Sequence, residues 1–412
     1  MMNYDVKKME WGQTLELPSS RALRHTAHVI GGRYPCRSVA FIPRILLTPF
    51  KDQEGTKVLD PFMGSGTTAV EAIYNGLHPY GLEVDPFARL ISEVSTHGFT
   101  VNEKSEIAEV NHQIEVSFHN TVGNICLSPK TKNIEYWFED VNFNDLLKLK
   151  TLIFKHTKSE HVHRFFLTVL ADIIRASSKA ERQSLKPYIS KKYEKKRNDV
   201  LTVYKKSYSN YFKAIHFAND RFADVTINWL KGDATNFDLE ESIDIAISSP
   251  PYINAMEYVR CIKLESAWID TGTDAIFTDV RKKQLGEQAR VKESNIEDVV
   301  RECTTPSLGY LLEVDPARFA TAMTYFQDMF NNLKCVNKAL KKGATYHVII
   351  GNSVIRQREV ATHKIIAELA KLVGFKWESY FNYPIKDHRT SLPRNGKGGK
   401  IAMEHVISLR KL

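Results

Sequence analysis

A glycine-rich turn over residues 61–66 joins a short apolar segment to a helical one, which restricts the folds open to the chain. Residues 57–60 predict a short buried strand, and residues 67–75 predict a helix. A second strand over residues 80–84 and a helix from Pro86 repeat the same order. Strands and helices that alternate across short connections are typical of a parallel sheet covered by helices on both faces. The sequence therefore predicts the α/β class, with a doubly wound, Rossmann-like sheet.

A second block of the same kind starts near Thr226. Its predicted strands and helices cover residues 243–247, 316–340, 346–350, 363–373, 376–381 and 403–409. Between the two blocks apolar residues recur at helical spacing, so residues 101–224 are predicted to form a helical insertion. We expect residues 1–100 and 225–412 to form one domain around a common sheet.

The composition favours a polyanionic partner and an intracellular location. The 412 residues include 57 Lys and Arg against 48 Asp and Glu, which gives a net charge of +9 and a pI near 9.1. The five cysteines form no CxxC pair, and no apolar run reaches the roughly 18 residues of a membrane span. The 14 histidines show no spacing such as HExxH, and His161 is expected at the surface, so we expect no metal.

Acidic residues flank the glycine-rich turn. Asp60 precedes it, Gly64 and Gly66 leave room for a ligand to approach the backbone, and Glu83 ends the next predicted strand. A carboxylate at Asp60 repels a pyrophosphate but attracts the ammonium and sulfonium groups of S-adenosylmethionine, and Glu83 can hold the ribose hydroxyls. Residues 64–69 also match the dinucleotide pattern G-x-G-x-x-A, so a nicotinamide-dependent enzyme and a plain tight turn stay open as alternatives.

Asp233 ends another strand-like segment in the second block. A carboxylate at the tip of a strand can accept a hydrogen bond from the amino group of an adenine. A solvent-exposed aspartate in a turn is the alternative for this residue alone.

The strand at 243–247 leads into the tetrapeptide Ser249-Pro250-Pro251-Tyr252. Neither proline has an amide hydrogen, so carbonyl groups at this turn can face a ligand without internal competition. The Ser249 hydroxyl and the Pro250 carbonyl can accept the two hydrogens of an exocyclic amino group, which directs the nitrogen lone pair toward a methyl donor. The Tyr252 ring can stack on a base that has flipped out of a duplex. The tetrapeptide therefore predicts methylation of an amino group, although a rigid loop is the alternative for these four residues alone.

Together the two motifs resemble the DNA amino-methyltransferases, the bacterial and phage enzymes that make N4-methylcytosine or N6-methyladenine. The resemblance covers about residues 21–99 and 223–409 and implies a class I methyltransferase sheet with S-adenosylmethionine as cofactor. It implies that the cofactor is bound by Arg33, Tyr34, Asp60, Phe62, Gly64, Gly66, Thr67, Thr68, Glu83, Val84, Asp233 and Ala234.

The resemblance also implies catalytic roles for Ser249, Pro250, Pro251 and Tyr252. A serine at the first position of the tetrapeptide resembles the enzymes that methylate cytosine N4, whereas aspartate or asparagine is more typical of those that methylate adenine N6. The implied function is site-specific methylation of double-stranded DNA in the cytoplasm, bacterial or phage-encoded and associated with the nucleoid, with a cognate restriction nuclease as a candidate partner. Methylation of adenine N6, methylation of an RNA base and nucleic-acid binding with a vestigial cofactor pocket stay open.

A basic stretch within the insertion predicts where DNA binds. Residues 179–213 contain 11 basic and 3 acidic residues, a net charge of +8, and tyrosines interleave with the lysines. The predicted DNA contacts are Lys191, Lys192, Lys195, Lys196, Arg197, Lys205 and Lys206, and in a second basic loop Arg281, Lys282 and Lys283. A solvated lysine-rich helix is the alternative, and helical spacing predicts that Tyr204 and Tyr208 face the core.

Overall fold

The protein is described from a computed structural model. The structure describes residues 9–23, 26–32, 34–35, 37–182, 184–192, 195–217, 222, 225–253, 257–287, 290–291, 295–386 and 401–412. The predicted cofactor contact Arg33 lies outside these residues.

The strands build one large sheet and a small hairpin. In chain order they are β1 (Gln13–Thr14), β2 (Lys57–Asp60), β3 (His78–Gly81), β4 (Asn228–Trp229), β5 (Ile243–Ser248), β6 (Leu340–Gly351), β7 (Ser353–Ile355), β8 (Arg358–Val360), β9 (Phe375–Pro384) and β10 (Met403–Lys411). Within the described residues, eight of them pair in the order β1-β9-β10-β6-β5-β2-β3-β4, while β7 pairs with β8. All neighbours in the large sheet are parallel except β10, which runs antiparallel to both β6 and β9. The predicted α/β class and doubly wound sheet are confirmed.

Helices follow most strands. They are α1 (Phe41–Leu47), α2 (Thr67–Tyr74), α3 (Pro86–Thr96), α4 (Val101–Ser117), α5 (Asp140–His156), α6 (Glu160–Ser177), α7 (Val200–Phe217), α8 (Tyr258–Trp268), α9 (Asp274–Lys283), α10 (Asp298–Leu308), α11 (Leu311–Val314), α12 (Pro316–Ala339) and α13 (Thr362–Leu372). None of the helices in the described part of the chain combines the length and apolarity needed to span a bilayer.

The central strands bury both faces, because adjacent residues point in opposite directions. Leu59 of β2 and Ala246 of β5 join the core formed with α10, α11, α12 and α13. Their neighbours Val58 and Ile245 join a second core on the other face, which includes Leu46 of α1. These strands therefore read as continuous apolar runs in the sequence.

The order of the strands brings two chain segments together at one edge of the sheet. From β2 the chain steps outward to β3 and β4, and then returns to the other side of β2 as β5. The register pairs Val58 with Ile245 and Leu59 with Ala246, so the residues that follow β2 and β5 leave the sheet side by side. Open parallel sheets bind ligands where the strand order reverses in this way, at the carboxyl ends of the strands.

The helices α4, α5, α6 and α7 occupy the predicted insertion, and they share one hydrophobic core with α3 and α8. Tyr204 is fully buried in this core, and Tyr208 stacks on Phe212 with 5.2 Å between ring centroids. Both tyrosines therefore face the core, as their spacing predicts. The insertion is packed against the helices that flank the sheet rather than linked to them by a tether.

A buried carboxylate fastens the amino-terminal segment to α2. Glu71 of α2 accepts two hydrogen bonds of 2.8 Å from the Arg44 guanidinium of α1 and lies 2.6 Å from Nε2 of His28. Burial alone would raise the pKa of Glu71, but the hydrogen bonds from His28 and Arg44 outweigh it and lower the pKa. The amino-terminal segment is therefore anchored on α2 six residues before Tyr34.

Candidate active site

Asp60 ends β2 and is almost completely buried. Its Oδ1 accepts a hydrogen bond of 3.0 Å from the Phe62 amide, and the Thr68 side chain also hydrogen-bonds to the carboxyl. Burial raises the pKa of Asp60 to about 7, although the bonds from Thr68 and Phe62 lower it. The site therefore lacks enough compensating positive charge for this carboxylate.

The two glycines of the turn have different tasks, although both have positive φ angles, +54° for Gly64 and +81° for Gly66. A Cβ atom on Gly64 would have no neighbour nearer than 3.9 Å, so its absence leaves the cleft open. A Cβ atom on Gly66 would lie 2.7 Å from Cβ of Ser92 in α3. The Gly66 amide donates to the Met63 carbonyl, so Gly66 allows α2 and α3 to pack closely rather than facing the cleft.

Glu83 lies next to Asp60 on the adjacent strand connection and is held by backbone amides. Its carboxylate accepts hydrogen bonds from the amides of Gly64 at 2.7 Å and Asp85 at 2.8 Å. Burial raises the pKa of Glu83 to about 7, and the charge of Asp85 adds to the rise. Asp85, the N-cap of α3, has its own pKa raised by burial to about 6. The buried Asp60 and Asp85 and the half-buried Glu83 thus stand at one edge of the sheet.

Asp60, Gly64 and Glu83 line a cleft with about 820 Å³ of empty space, part of which is open to solvent. Of the predicted site residues, the cleft wall contains Tyr34, Asp60, Phe62, Gly64, Thr67, Thr68, Glu83, Val84, Asp233, Ala234, Ser249, Pro251 and Lys283. Gly66, Pro250 and Tyr252 are not in the wall. The structure therefore brings the cofactor motif and the first residue of the proline tetrapeptide into one cavity.

Asp233 and Ala234 form a turn on the wall of the cleft. Oδ1 of Asp233 accepts hydrogen bonds from the Thr235 amide at 2.8 Å and the Thr235 hydroxyl at 2.7 Å. The Ala234 carbonyl accepts a hydrogen bond of 2.7 Å from the buried Asn332 side chain of α12. Asp233 thus orders its own turn.

A buried hydrogen-bond chain connects this turn to the strand before the tetrapeptide. The Tyr346 hydroxyl of β6 bonds to Oδ1 of Asn332 at 3.0 Å and to the Ser248 hydroxyl at 2.8 Å. Asn332 in turn holds the Ala234 carbonyl. Because every group in this series of hydrogen bonds is buried, the bonds fix the spacing between the two walls of the cleft.

The tetrapeptide follows β5 directly. Ser249 is half-buried in the cleft wall, and in the described part of the chain no residue hydrogen-bonds to its hydroxyl. Pro250 is buried, so it shapes the turn, while Pro251 lines the cleft. The hydroxyl of the half-buried Tyr252 donates to Glu404 of β10, which also accepts a hydrogen bond from Tyr383 of β9.

Several cleft residues were missed by sequence reasoning. They are Arg37, Ser38, Pro61, Met63, Ser65, Leu82, Tyr258, Gln284 and Leu285. Tyr258 begins α8 six residues after Tyr252, and Gln284 and Leu285 follow the second basic loop directly, so proximity to known motifs was their only signal in the sequence. Glu404 was also missed, because nothing local in the sequence connects it to Tyr252.

The structure corrects the prediction for Lys195. Its ammonium donates to the carbonyl groups of Arg175 at 2.9 Å, Ser178 at 2.6 Å and Ala180 at 2.7 Å. These carbonyls belong to the end of α6 and the chain after it, where a cation satisfies acceptors that the helix leaves unpaired. Lys195 therefore closes the end of α6 and is not available as a phosphate contact.

Other predicted DNA contacts are at the surface. Lys191, Lys192, Lys196, Arg197, Lys205, Lys206, Arg281, Lys282 and Lys283 are all exposed. Lys205 pairs with Glu115 of α4 at 3.0 Å, and Lys283 pairs with Asp279 at 2.8 Å. Such exposed pairs are weak, so they leave the two lysines able to exchange partners.

The basic stretch of the insertion contacts the amino end of α8. Lys186, within the basic stretch of the insertion, pairs at 2.9 Å with Glu257, the N-cap of α8. Burial is the main cause that raises the pKa of Glu287. The negative charge of Glu257 raises it further, whereas the positive charges of Arg281 and Lys186 lower it. Glu287 therefore lies close to groups of both segments, beside the helix that follows the tetrapeptide.

Comparisons with known proteins agree with this geometry. A family model described as DNA methylase, covering enzymes that methylate N6 or N4 positions, matches residues 21–93. The chain is 23% identical over 381 residues to the type II methyltransferase M.MvaI of Kocuria varians, covering 86% of this chain and 82% of that one. These matches support the DNA amino-methyltransferase family.

Two further relatives match over shorter regions. The type II methyltransferase M.BsoBI of Geobacillus stearothermophilus is 24% identical over 270 residues, 58% of this chain and 52% of the relative. The type II methyltransferase M.MjaII of Methanocaldococcus jannaschii is 32% identical over 102 residues, 24% of this chain and 18% of the relative. A methyltransferase of this family takes its methyl group from a donor, generally S-adenosylmethionine, and acts on DNA.

Proposed function

We propose that this amino-methyltransferase transfers a methyl group from S-adenosylmethionine to N4 of a cytosine flipped out of double-stranded DNA. The observation that carries the proposal is the position of Ser249, which lies in the wall of the same cleft as Asp60 and Glu83. In this proposal residues 1–100 and 225–412 form the catalytic domain, and residues 101–224 hold the DNA.

The charge of the cleft fits this cofactor. Desolvation raises the pKa values of the buried Asp60 and the half-buried Glu83, and the charge of Asp85 adds to the rise at Glu83, so a cationic ligand is favoured and a pyrophosphate is not. Asp60 and the turn at Gly64 are assigned to the methionine end, Glu83 to the ribose and Asp233 to the adenine. Phe62, Val84 and Ala234 supply apolar contacts in the wall between them. When bound, S-adenosylmethionine supplies an electrophilic methyl group.

The chain's own residues prepare the amino group. The Ser249 hydroxyl and the Pro250 carbonyl accept its two hydrogens, which reduces the delocalisation of its lone pair into the base. Tyr252 offers a ring face on which the flipped base stacks, and Glu404 fixes the orientation of that ring. Transfer of the methyl group leaves the nitrogen with one proton in excess, and solvent in the open cleft accepts it.

The choice of cytosine rests on the serine. Ser249 provides a neutral acceptor, and a serine at this position resembles the cytosine N4 enzymes, whereas an acid or an asparagine resembles the adenine N6 enzymes. The fact that the cofactor motif precedes the tetrapeptide, with the insertion between them, is less usual for a cytosine N4 enzyme. Adenine N6 is therefore the second candidate for the acceptor.

A mass-spectrometric analysis of nucleosides tests both the class and the base. DNA is purified from cells that lack methylated amino bases and express either the wild-type chain or the Ser249→Ala variant. We expect N4-methylcytosine with the wild type. Detection of N6-methyladenine would show that the acceptor is adenine and that the enzyme still methylates an amino group. The absence of both methylated bases would contradict the proposal.

The Ser249→Ala variant also tests the mechanism. Loss of one polar partner of the reacting group is expected to lower turnover on DNA by about a hundredfold, while calorimetric affinity for S-adenosylmethionine stays unchanged. Wild-type turnover in this variant would remove the hydroxyl from the mechanism.

The biological setting extends the same proposal. The three relatives are all named type II methyltransferases. We infer that this chain also modifies a specific site, as part of a bacterial or phage modification system with a cognate nuclease. Sequencing that detects modified bases in genomic DNA would show a single methylated sequence motif, and methylation without sequence preference would contradict this.

A further inference from the structure

A cluster of two histidines and a glutamate lies where the helical insertion meets the sheet domain. His97 caps the carboxyl end of α3, Glu103 lies in the first turn of α4, and His161 lies in the first turn of α6. Oε1 of Glu103 is 3.1 Å from Nε2 of His97 and 3.0 Å from Nδ1 of His161. The three atoms lie within 4.8 Å of one another.

The geometry is close to that of a transition-metal site. Zinc binds nitrogen and oxygen ligands at about 2.0–2.1 Å, so ligand atoms in a tetrahedral site are roughly 3.3 Å apart. The separations of 3.1 and 3.0 Å between Glu103 and the two histidines need to increase by only a few tenths of an ångström to admit an ion, and the two histidine nitrogens are at most 4.8 Å apart. Two imidazoles and a carboxylate are also a donor set that zinc accepts.

The carboxylate is already oriented by its own helix. Oε2 of Glu103 accepts hydrogen bonds from the Thr100 amide at 2.8 Å and the Thr100 hydroxyl at 3.0 Å, which form the capping box of α4. Oε2 also lies 3.2 Å from Nε2 of His97, while Oε1 faces both histidines. A ligand that is held in place before the ion binds loses little conformational freedom on binding.

A second cleft adjoins the cluster and leaves room for a further ligand. It has about 610 Å³ of empty space, and His97 and His161 form part of its wall together with Phe99 and Trp229. The cationic Arg164 also lines this cleft, but its guanidinium pairs with Glu93 at 2.5 Å and with Glu160 at 2.6 Å, so its charge is compensated. Water from this cleft can complete a fourth coordination position.

We propose that His97, Glu103 and His161 bind one zinc ion that fastens α3 to α4 and α6. The site is separate from the reaction, because α3 runs between the two: its N-cap Asp85 stands beside Glu83, and His97 stands at its other end. The 11 residues of α3 span roughly 16 Å, so the ion has a structural task. It ties the helical insertion to the helix that starts at the active site.

Metal titration of the full-length chain tests this proposal. After chelator treatment, zinc binding is followed by calorimetry, and cobalt binding by the visible absorption of tetrahedral cobalt. We expect one ion per chain. Loss of an outer partner of a metal ligand already costs about 10–100-fold in affinity, so His161→Ala is expected to weaken zinc binding at least tenfold. His112→Ala removes an exposed histidine from α4 and is expected to bind like the wild type.

Thermal unfolding gives a second readout that does not depend on activity. Zinc should raise the Tm of the wild type and of His112→Ala, but not that of His161→Ala, because only a bound ion stabilises the folded state. Circular dichroism establishes that His161→Ala is folded, and His97→Gln provides a second variant of the site. Absence of saturable binding by the wild type, or equal binding by wild type and His161→Ala, would overturn the proposal.

Discussion

Asp60 shows at the scale of one residue how a binding site costs stability. Its carboxyl is 4% exposed and its pKa is raised to about 7 from an ordinary value of 3.8, mainly by burial. Because the pKa is higher in the folded state, the ionised carboxylate opposes folding, and this cost grows as the pH rises from about 4 to about 7. A cationic ligand would relieve the same cost.

Asp60→Asn should therefore separate stability from ligand binding. At about pH 8 we expect the ligand-free variant to be more stable than the wild type by about 2 kcal/mol, because a neutral amide replaces an uncompensated carboxylate. Affinity for S-adenosylmethionine should fall sharply in the same variant. Urea unfolding and calorimetry measure the two effects, and a loss of stability in the variant would contradict the account.

The same pKa shift predicts how cofactor binding depends on pH. Only the ionised form of Asp60 attracts a cation, so affinity should increase by about eightfold between about pH 6 and pH 7.5, with release of protons to the buffer. Calorimetry in two buffers of different ionisation enthalpy measures both quantities. The Asp60→Asn variant is the control, and the pH dependence should largely disappear in it.

Glu404 controls the orientation of Tyr252. Burial raises the pKa of Glu404, although its hydrogen bonds with Tyr252 and Tyr383 lower it, and both phenol groups donate to the carboxylate. Glu404→Ala should lower kcat on DNA by about tenfold, because the ring that supports the base is released. Glu404→Gln can still bond to both phenol groups and should recover most of the activity.

Tyr252→Phe provides a matched comparison. It keeps the ring and loses only the hydroxyl, so its kcat should resemble that of Glu404→Ala more than that of Tyr252→Ala. Calorimetric affinity for S-adenosylmethionine should be unchanged in all these variants. Equal activity of Glu404→Ala and wild type would show that the hydrogen bond is not needed to position the ring.

At the scale of the helix, Lys195 shows why basic residues of one segment have different tasks. Lys195 and Lys196 are neighbours in the same basic stretch. The ammonium of Lys195 is surrounded by three carbonyls at the end of α6, whereas Lys196 is exposed. Helix ends leave carbonyls unpaired, and a nearby cation compensates them.

Lys195→Ala should lower the free energy of unfolding by about 2 kcal/mol, because three charge-assisted hydrogen bonds are lost. Lys196→Ala should change it by less than about 0.5 kcal/mol. Urea unfolding followed by circular dichroism measures both. If both substitutions changed the free energy of unfolding by less than about 0.5 kcal/mol, the hydrogen bonds from Lys195 to the three carbonyls would not contribute to stability.

At the scale of the whole molecule, the basic insertion and the cleft form one continuous unit. The insertion helices share a core with α3 and α8, and Lys186 pairs with the N-cap of α8. The basic insertion is therefore packed directly against the helix that follows the tetrapeptide.

Replacing Lys191 and Lys192 together with alanine should weaken DNA binding and reduce its dependence on salt. Each lost phosphate contact lowers the slope of log K against log salt by about 0.9, so we expect a decrease of about 2. Lys364→Ala with Lys371→Ala makes the same charge change on α13 and is the control. Fluorescence anisotropy across several salt concentrations measures the slopes, and equal slopes would show that Lys191 and Lys192 do not contact phosphates.

The amino-acid sequence by itself determined the strands on both sides of the cleft, the helices α2, α3, α12 and α13, the doubly wound sheet and the two motifs of the cleft. These features are local, since Asp60, the glycines and Ser249 each follow a strand within a few residues, and parallel strands carry such residues to one edge of the sheet. Patterns of this kind can be recognised without knowing which distant residues meet.

Only the tertiary structure decided the tasks of residues whose partners are distant in the chain. Lys195 meets carbonyls of α6, Tyr252 meets Glu404, and His97 meets His161. Gly66 likewise serves the packing of α2 on α3 rather than the cleft. Spacing along the chain carries no information about such contacts, because burial, register and helix packing bring these groups together only after the fold has formed.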